Sequence, residues 1–276
     1  MGANHATLQM KNILDSFMDF CKDHLDGMMP KFKSQGGGWQ EDLALQNIQA
    51  RIRMIYSYML AQTLGCSEDT DCIGKDLLVL ATGNVDETLM GYATKYDCSS
   101  GDIAPIATLN KHHVFSIIKY SYDKLGWEVL SEILNAAPTA ELQPSDGGHV
   151  QTDEEDMGLT YNELATFGRY RMDRMCGPFS MFDNLQEIWP DMPIELLEEK
   201  VLRFFKRFGM NRHKAVVGTP AIHLSNYSAD PKTRDVRPYL YTGWETQFSK
   251  IRKLKEDVLM CKDAGDDCVR AWMMRR

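Results

Sequence analysis

Apolar residues follow two rhythms along this chain. Leu45, Ile48, Ile52, Ile55 and Met59 step three and four residues apart through LALQNIQARIRMIYSYMLAQ, which at 3.6 residues per turn draws one apolar stripe along a helix. Met10, Ile13, Phe17 and Phe20 repeat that spacing and predict an earlier helix that stops before Gly27 and Pro30. Val114, Ile117, Ile118 and Ser121 resume it. Leu197, Val201, Phe204, Phe205 and Phe208 form a further stripe, opened by Pro193 and closed by Gly209. Trp244, Phe248, Ile251 and Val258 predict a last helix. The second rhythm is the short apolar run DLLVLAT (76–82), the signature of a buried parallel strand covered on both faces. No internal repeat or low-complexity tract interrupts the pattern, so the expectation is one helix-rich α/β domain.

Polar segments punctuate these elements. TYNE (160–163) is a capping box, in which Thr160 accepts from the amide three residues on and Glu163 reaches back. Residues 137–159 read as a polar loop. Gly36, Gly37 and Gly38 invite a phosphate-cradle reading, but no Lys-Ser/Thr or Asp-Ser follows them, and a flexible loop is the expectation. A net charge of −8 over 276 residues disfavours nucleic acid or an anionic membrane as partner, so any anionic ligand must be met locally. The longest aliphatic run, Leu77 to Ala81, is far below membrane-spanning length. MGANHATLQM has no basic start followed by an apolar stretch, which points to a cytoplasmic protein, and Ala6 does not suit a myristoylation signal. Seven scattered cysteines without a CxxC spacing read as reduced structural thiols. A zinc site from Cys72, Cys98, His112 and His113 has no support in their spacing.

Chemistry gathers where the strand ends. In open α/β sheets ligands sit beyond the carboxyl ends of the strands, and DLLVLAT leads into GNVDE and then GYATKYDCSSGDIAPI (91–106). Asp86 and Glu87 could serve Mg²⁺, a hard ion satisfied by one or two carboxylates plus phosphate oxygens. RFFKRFGMNRHK (203–214) reads either as cations favoured near a helix C-terminus or as the basic patch an acidic chain needs to hold a polyphosphate. Arg51 and Arg53 lie off the stripe of their helix and read as surface charges. From the residues alone, then, the expectation is an α/β protein, with phosphate handling as one reading of its charged clusters.

LALQNIQARIRM, ATGNVDETLMGYATKYDCSSGDIAPI, APTAEL, QTDEEDMGLTY, CGPFSMF, MNRHK and DVRPYLY closely resemble the synthetase domain of the eukaryotic glutamine-dependent NAD synthetases, from about Gly2 to about Tyr241. GNVDE followed by GYxTKYDCSS is specific, since related ATP-pyrophosphatase ligases such as GMP synthetase and asparagine synthetase lack it. The resemblance implies a Rossmann-like, adenine nucleotide alpha hydrolase-like fold. It also implies ATP-dependent amidation of deamido-NAD to NAD through an acyl adenylate, with ATP and Mg²⁺ required and ammonia supplied by glutamine hydrolysis in the full-length enzyme. It assigns Thr82, Lys111 and Thr139 to ATP, Glu87 to the metal, and Arg51, Lys95, Asp102, His213 and Lys214 to deamido-NAD. Homo-oligomers of a protein with small-molecule substrates are expected. The SGGxDS pyrophosphate loop of that family occurs nowhere in the sequence, and neither does its glutaminase domain. Residues 1–276 therefore read as a partial synthetase domain without its first strands. The alternative is a catalytically inactive fragment or pseudoenzyme that binds dinucleotide or a full-length synthetase subunit. Ala104, Ala107 and Thr108 stand where the family often has Asn and Gly-Gly, which bears on loop geometry and removes no charge.

Overall fold

Helices carry most of the architecture. The structure, a computed structural model, describes residues 5–66, 74–139, 142, 152–215, 217–219, 221–225 and 243–263. Among them, α1 spans Lys11–His24, α2 Trp39–Thr63, α3 Val85–Met90, α4 Lys111–Leu125 and α5 Leu130–Asn135. The series continues with α6 Asp153–Met157, α7 Tyr161–Met172, α8 Pro178–Ile188, α9 Ile194–Ala215 and α10 Glu245–Asp263.

The core lies where aromatic spacing is densest. Phe204, Phe205 and Phe208 of α9 are wholly buried against α7, α8 and α10. The Phe204 ring centroid stands 5.3 Å from those of Phe167 and Phe205, and Phe205 is 5.3 Å from Trp244. Burying each such ring contributes roughly 2–3 kcal/mol. That gain explains why Gly209 does not end the helix as its composition predicts. A helical glycine costs about 1 kcal/mol relative to alanine, less than the aromatic stripe returns, so α9 continues to Ala215 and carries Arg212, His213 and Lys214 in its last turn. The TYNE box forms as its sequence predicts: Glu163 Oε2 accepts from the Thr160 amide at 2.8 Å, and the Thr160 hydroxyl accepts from the Glu163 amide at 3.3 Å. Glu163 also pairs with Lys200 of α9 at 2.9 Å, so the cap fastens one helix to another.

Elsewhere the structure departs from the pattern. The α2 helix forms, with Leu45 and Ile52 buried, but Ala50 and Met54 complete its buried face while Ile55 and Met59 lie exposed. Similarly, α1 buries none of its residues, and Phe17 and Phe20 face outward. The polar segment 137–159 contains α6, capped by Thr152. The glycine run is a built turn rather than a flexible loop. A Cβ at Gly37 would land on the Lys31 carbonyl, and Gly38 caps α2 with its amide donating to Glu41 Oε2 at 2.6 Å.

The run 76–82 is extended and pairs in parallel. Leu80 bridges Ile103, and Ala104 bridges Ala221. The Asp102 amide donates to the Val79 carbonyl at 2.7 Å, and the Ala81 amide to the Ile103 carbonyl at 2.8 Å. Only one face is covered, however. Val79 and Ala81 are 8% and 3% exposed, whereas Leu78 and Leu80 are 65% and 57% exposed. Side chains alternate across a strand, so this is one packed face and one open face among the described residues, not the doubly covered strand that its apolar run predicts.

Candidate functional site

Past Ala81 the chain turns into α3. Asn84, extended, caps that helix: its Oδ1 accepts from the Glu87 amide at 3.1 Å, and its Nδ2 donates to Glu87 Oε1 at 2.7 Å. Glu87 is thereby fixed by a capping box. Lys111, the first residue of α4, brings its ammonium to 3.1 Å from Glu87 Oε1 and donates its backbone amide to Asp86 Oδ2 at 2.9 Å. Asp86 is fully buried, and its Oδ1 has no hydrogen-bond partner. Burial pushes its carboxyl up to about 7; the Glu87 charge adds to this, and the Lys111 amide and ammonium oppose it.

Tyr161, the first residue of α7, closes this group. Its hydroxyl donates to Asp153 Oδ2 at 2.9 Å and stands 3.4 Å from Glu87 Oε1, while its ring centroid lies 5.0 Å from the Lys111 ammonium. Burial first, then the charges of Glu87 and Asp153, hold the phenol far above its ordinary range, so it stays a donor. The Asp153 amide donates to the Pro138 carbonyl at 3.1 Å, which draws the segment of Thr139 toward the same place. Thr82 is exposed at the end of the extended run, its amide 3.4 Å from the Cys98 carbonyl.

A second group forms at the other end of α3. Gly91 ends the helix in the left-handed region, and Asp97 organises the next turns by accepting from the Thr94 amide at 2.8 Å and the Ser99 amide at 2.9 Å. Short polar side chains thus replace a regular ladder, which accounts for the irregular composition of 91–106. Thr94 donates to Asn47 Oδ1 at 2.7 Å, and Arg51 Nε to the Lys95 carbonyl at 3.1 Å, so α2 holds the segment from one side. From the other side, Lys214 Nζ donates to the carbonyls of Gly91 and Ala93, both at 2.7 Å, and Asn211 Nδ2 to that of Met90 at 3.1 Å. Burial lowers the Lys214 ammonium. Burial, then the charges of Lys95 and Lys214, lower His213 and favour its neutral ring. The Lys95 ammonium lies 5.3 Å from the Tyr96 ring centroid. Asp102 accepts from the Val79 amide at 2.8 Å and from the Tyr58 hydroxyl at 3.2 Å. Burial and the neighbouring Asp97 charge raise the Cys98 thiol, which suits packing and not nucleophilic attack.

The residues singled out in the sequence therefore fall into two groups. Lys111 and Glu87 meet directly, with Thr139 approached through Asp153. Arg51, Lys95, His213 and Lys214 gather about the 91–106 segment, with Asp102 at its strand-pairing end. Along α3, Glu87 and Gly91, where the second group begins, stand four residues or roughly 6 Å apart. A cavity beside it, lined by Ala81, Gly83, Ala93, Ala104 and Ala215 with Lys214 at its wall, encloses about 50 Å³. That holds a few waters, not a dinucleotide. Sequence reasoning missed Tyr161 and Asp153, which fall inside a capping box and a polar loop, and Tyr58 and Asn47, which look like solvated positions of α2. The one signal for the first pair was the acidic run DEED just before the TYNE box. Among the described residues no three His, Cys, Asp or Glu side chains are set to hold a metal, and Cys72 of the imagined zinc site lies outside them.

Polar groups beyond the carboxyl end of a parallel-paired strand stand where open α/β domains place their ligands. Comparison with known proteins makes this specific. The NAD synthase family profile matches residues 2–215, and the chain belongs to that family. It is 43% identical over 263 residues to the glutamine-dependent NAD(+) synthetase of Saccharomyces cerevisiae, covering 95% of this chain and 36% of that protein. It is also 43% identical over 256 residues to the Drosophila melanogaster glutamine-dependent NAD(+) synthetase, covering 91% of this chain and 32% of that one. In fold it matches the glutamine-dependent NAD(+) synthetase structure from Cytophaga hutchinsonii, with a TM-score of 0.67 at 21% identity over 91% of this chain and 36% of that chain. The adenine nucleotide alpha hydrolase-like fold is thus the observed one. The chain spans about a third of the length of these curated relatives.

Proposed function

We propose that this chain carries the synthetase step of NAD formation. In this reading the carboxylate of deamido-NAD attacks the α-phosphate of ATP and releases pyrophosphate. Ammonia, which glutamine hydrolysis supplies in the full-length enzyme, then displaces AMP from the acyl adenylate to give the amide. No covalent enzyme intermediate is needed, so the protein's part is positioning and charge stabilisation. The observation that carries the reading is the juxtaposition, across one short helix, of a Lys111–Glu87 pair with a segment bearing Lys95 and Asp102. Lys111 and Thr82 would meet ATP phosphate and nucleoside, with Thr139 completing that side. Arg51, Lys95, Asp102, His213 and Lys214 would hold deamido-NAD, with the Asp102 carboxylate accepting from a donor group of the dinucleotide.

Glu87 fits Mg²⁺ as a single carboxylate ligand whose remaining positions are filled by phosphate oxygens and water. The unpartnered Oδ1 of Asp86 beside it is consistent with a cation nearby. When bound, the ion would neutralise charge on the transferred phosphoryl group. A cytoplasmic homo-oligomer acting on small molecules is the accompanying expectation; no helix among the described residues is long and apolar enough to cross a membrane.

A second reading is a chain without turnover of its own that binds dinucleotide or a full-length synthetase subunit. An ammonia-dependent assay of the purified chain with ATP, Mg²⁺ and deamido-NAD separates the two. NAD formation with matching pyrophosphate release supports the synthetase reading. Dinucleotide binding without product supports the second, and binding of neither ligand sinks the synthetase reading and leaves of the second only the pairing with a full-length subunit, which co-purification with that subunit checks.

A further inference from the structure

Tyr161 touches both members of the Lys111–Glu87 pair, a task that its place inside the TYNE box does not announce. It is buried, and its hydroxyl reaches Asp153 Oδ2 at 2.9 Å and Glu87 Oε1 at 3.4 Å. Its ring lies beneath the Lys111 ammonium, 5.0 Å from centroid to nitrogen. Asp153 is 5% exposed, and its Oδ1 has no hydrogen-bond partner. A half-satisfied buried carboxylate is costly, and a phenylalanine over an apolar residue would pack the same space more cheaply. Through its amide Asp153 also holds the Pro138 carbonyl, next to Thr139. One tyrosine and one aspartate therefore connect Lys111, Glu87 and the Thr139 segment around α3.

We propose that Tyr161 is a positioning residue: its ring and hydroxyl, braced by Asp153, hold Lys111 and Glu87 in the geometry that receives the phosphates of ATP. This rests on the ATP reading of Lys111 and Glu87. The physical reason is preorganisation. A free lysine side chain loses substantial rotamer freedom when it closes on a phosphate. Lying on an aromatic face and against a capped glutamate, Lys111 has already lost most of that freedom before ATP arrives. The Tyr161–Asp153 hydrogen bond fixes the plane of the ring and hence the place of the ammonium.

The test measures equilibrium binding of Mg²⁺-ATP and, separately, of deamido-NAD to the 276-residue chain and two variants. Tyr161→Phe keeps the aromatic face and removes the hydroxyl; Tyr161→Leu removes both. A hydrogen bond to a charged group commonly changes affinity by about tenfold. ATP affinity is expected to fall about tenfold in Tyr161→Phe and further in Tyr161→Leu, while deamido-NAD affinity stays within about twofold because Tyr161 contacts Lys111, Glu87 and Asp153 and none of the residues read for deamido-NAD. Selective loss is the readout, since a merely structural role weakens both ligands together with the melting temperature. ATP binding unchanged in Tyr161→Phe, or equal weakening of both ligands, overturns the proposal. If Tyr161→Leu does not fold, Tyr161→Phe decides alone. A wild-type chain that binds deamido-NAD but no ATP overturns the ATP reading itself, and this inference with it.

Discussion

At Asp86 the chain sets a carboxylate beyond the reach of water, with one oxygen on the Lys111 amide and the other unpartnered. Its folded-state value, raised from 3.8 to about 7, lies above the unfolded one. The folded chain therefore binds this proton more tightly, and the resulting stability is present below about pH 4 and lost as pH climbs through about 7. The full span corresponds to on the order of 4 kcal/mol. Asp86→Asn cannot ionise, so it should be less stable than wild type at pH 4, where its buried NH₂ group finds no acceptor in place of the unpartnered Oδ1, and gain on wild type by a few kcal/mol by pH 8. Urea denaturation at the two pH values checks this; parallel curves would refute it. Sequence alone marks Asp86 as an acid past a strand. Its burial comes from α3 packing on α7 and α9, contacts that no local pattern encodes.

Among the elements, α3 shows how tightly the site is built. Gly91 ends it at φ +63°, and a Cβ there would collide with the Asn211 side chain of α9. Gly126 ends α4 at a similar φ of +67° with nothing within 4 Å of its would-be Cβ. Gly126→Ala should thus cost only the backbone strain, about 1 kcal/mol, whereas Gly91→Ala should cost about 2 kcal/mol or more and displace Asn211 from the Met90 carbonyl. Thermal unfolding of both variants tests the difference, and equal losses would show that α9 yields without cost. Legibility differs by element for a physical reason. The stripes of α9 and α10 and the Thr160 box were readable because period and capping are local. By contrast, the exposure of Ile55 and Met59 on α2, the open face of the extended run, and the helical passage through Gly209 depend on what packs opposite, which spacing cannot report. Within the candidate site Asp86 and Glu87 beyond a strand end were readable, while Arg51 read as a surface charge and joined the others only through the family resemblance; Tyr161 and Asp153 were not readable, since their local positions mask their long-range contacts.

Over the whole molecule, apolar exposure is uneven. The α7–α10 core is dry and aromatic, but Leu78, Leu80, Ile55, Ile117, Tyr120 and Leu125 all lie open. Leu78 and Leu80 share the open face of the extended run, and an open apolar strand face of this kind favours association. The purified chain is expected to bind a hydrophobic dye and to run above monomer mass in light scattering at micromolar concentration, and Leu78→Lys with Leu80→Lys should reduce both; a monomer that excludes the dye would contradict this. A last consequence belongs to α9, which is 22 residues and roughly 33 Å long. Its middle holds the phenylalanine core, and its final turn grips the carbonyls of Gly91 and Ala93. Because one rigid body serves both ends, occupancy and cohesion are thermodynamically linked. Any ligand that settles against Lys95 and His213 in the folded chain alone raises the resistance of the aromatic core to opening, by an amount that grows with the logarithm of ligand concentration.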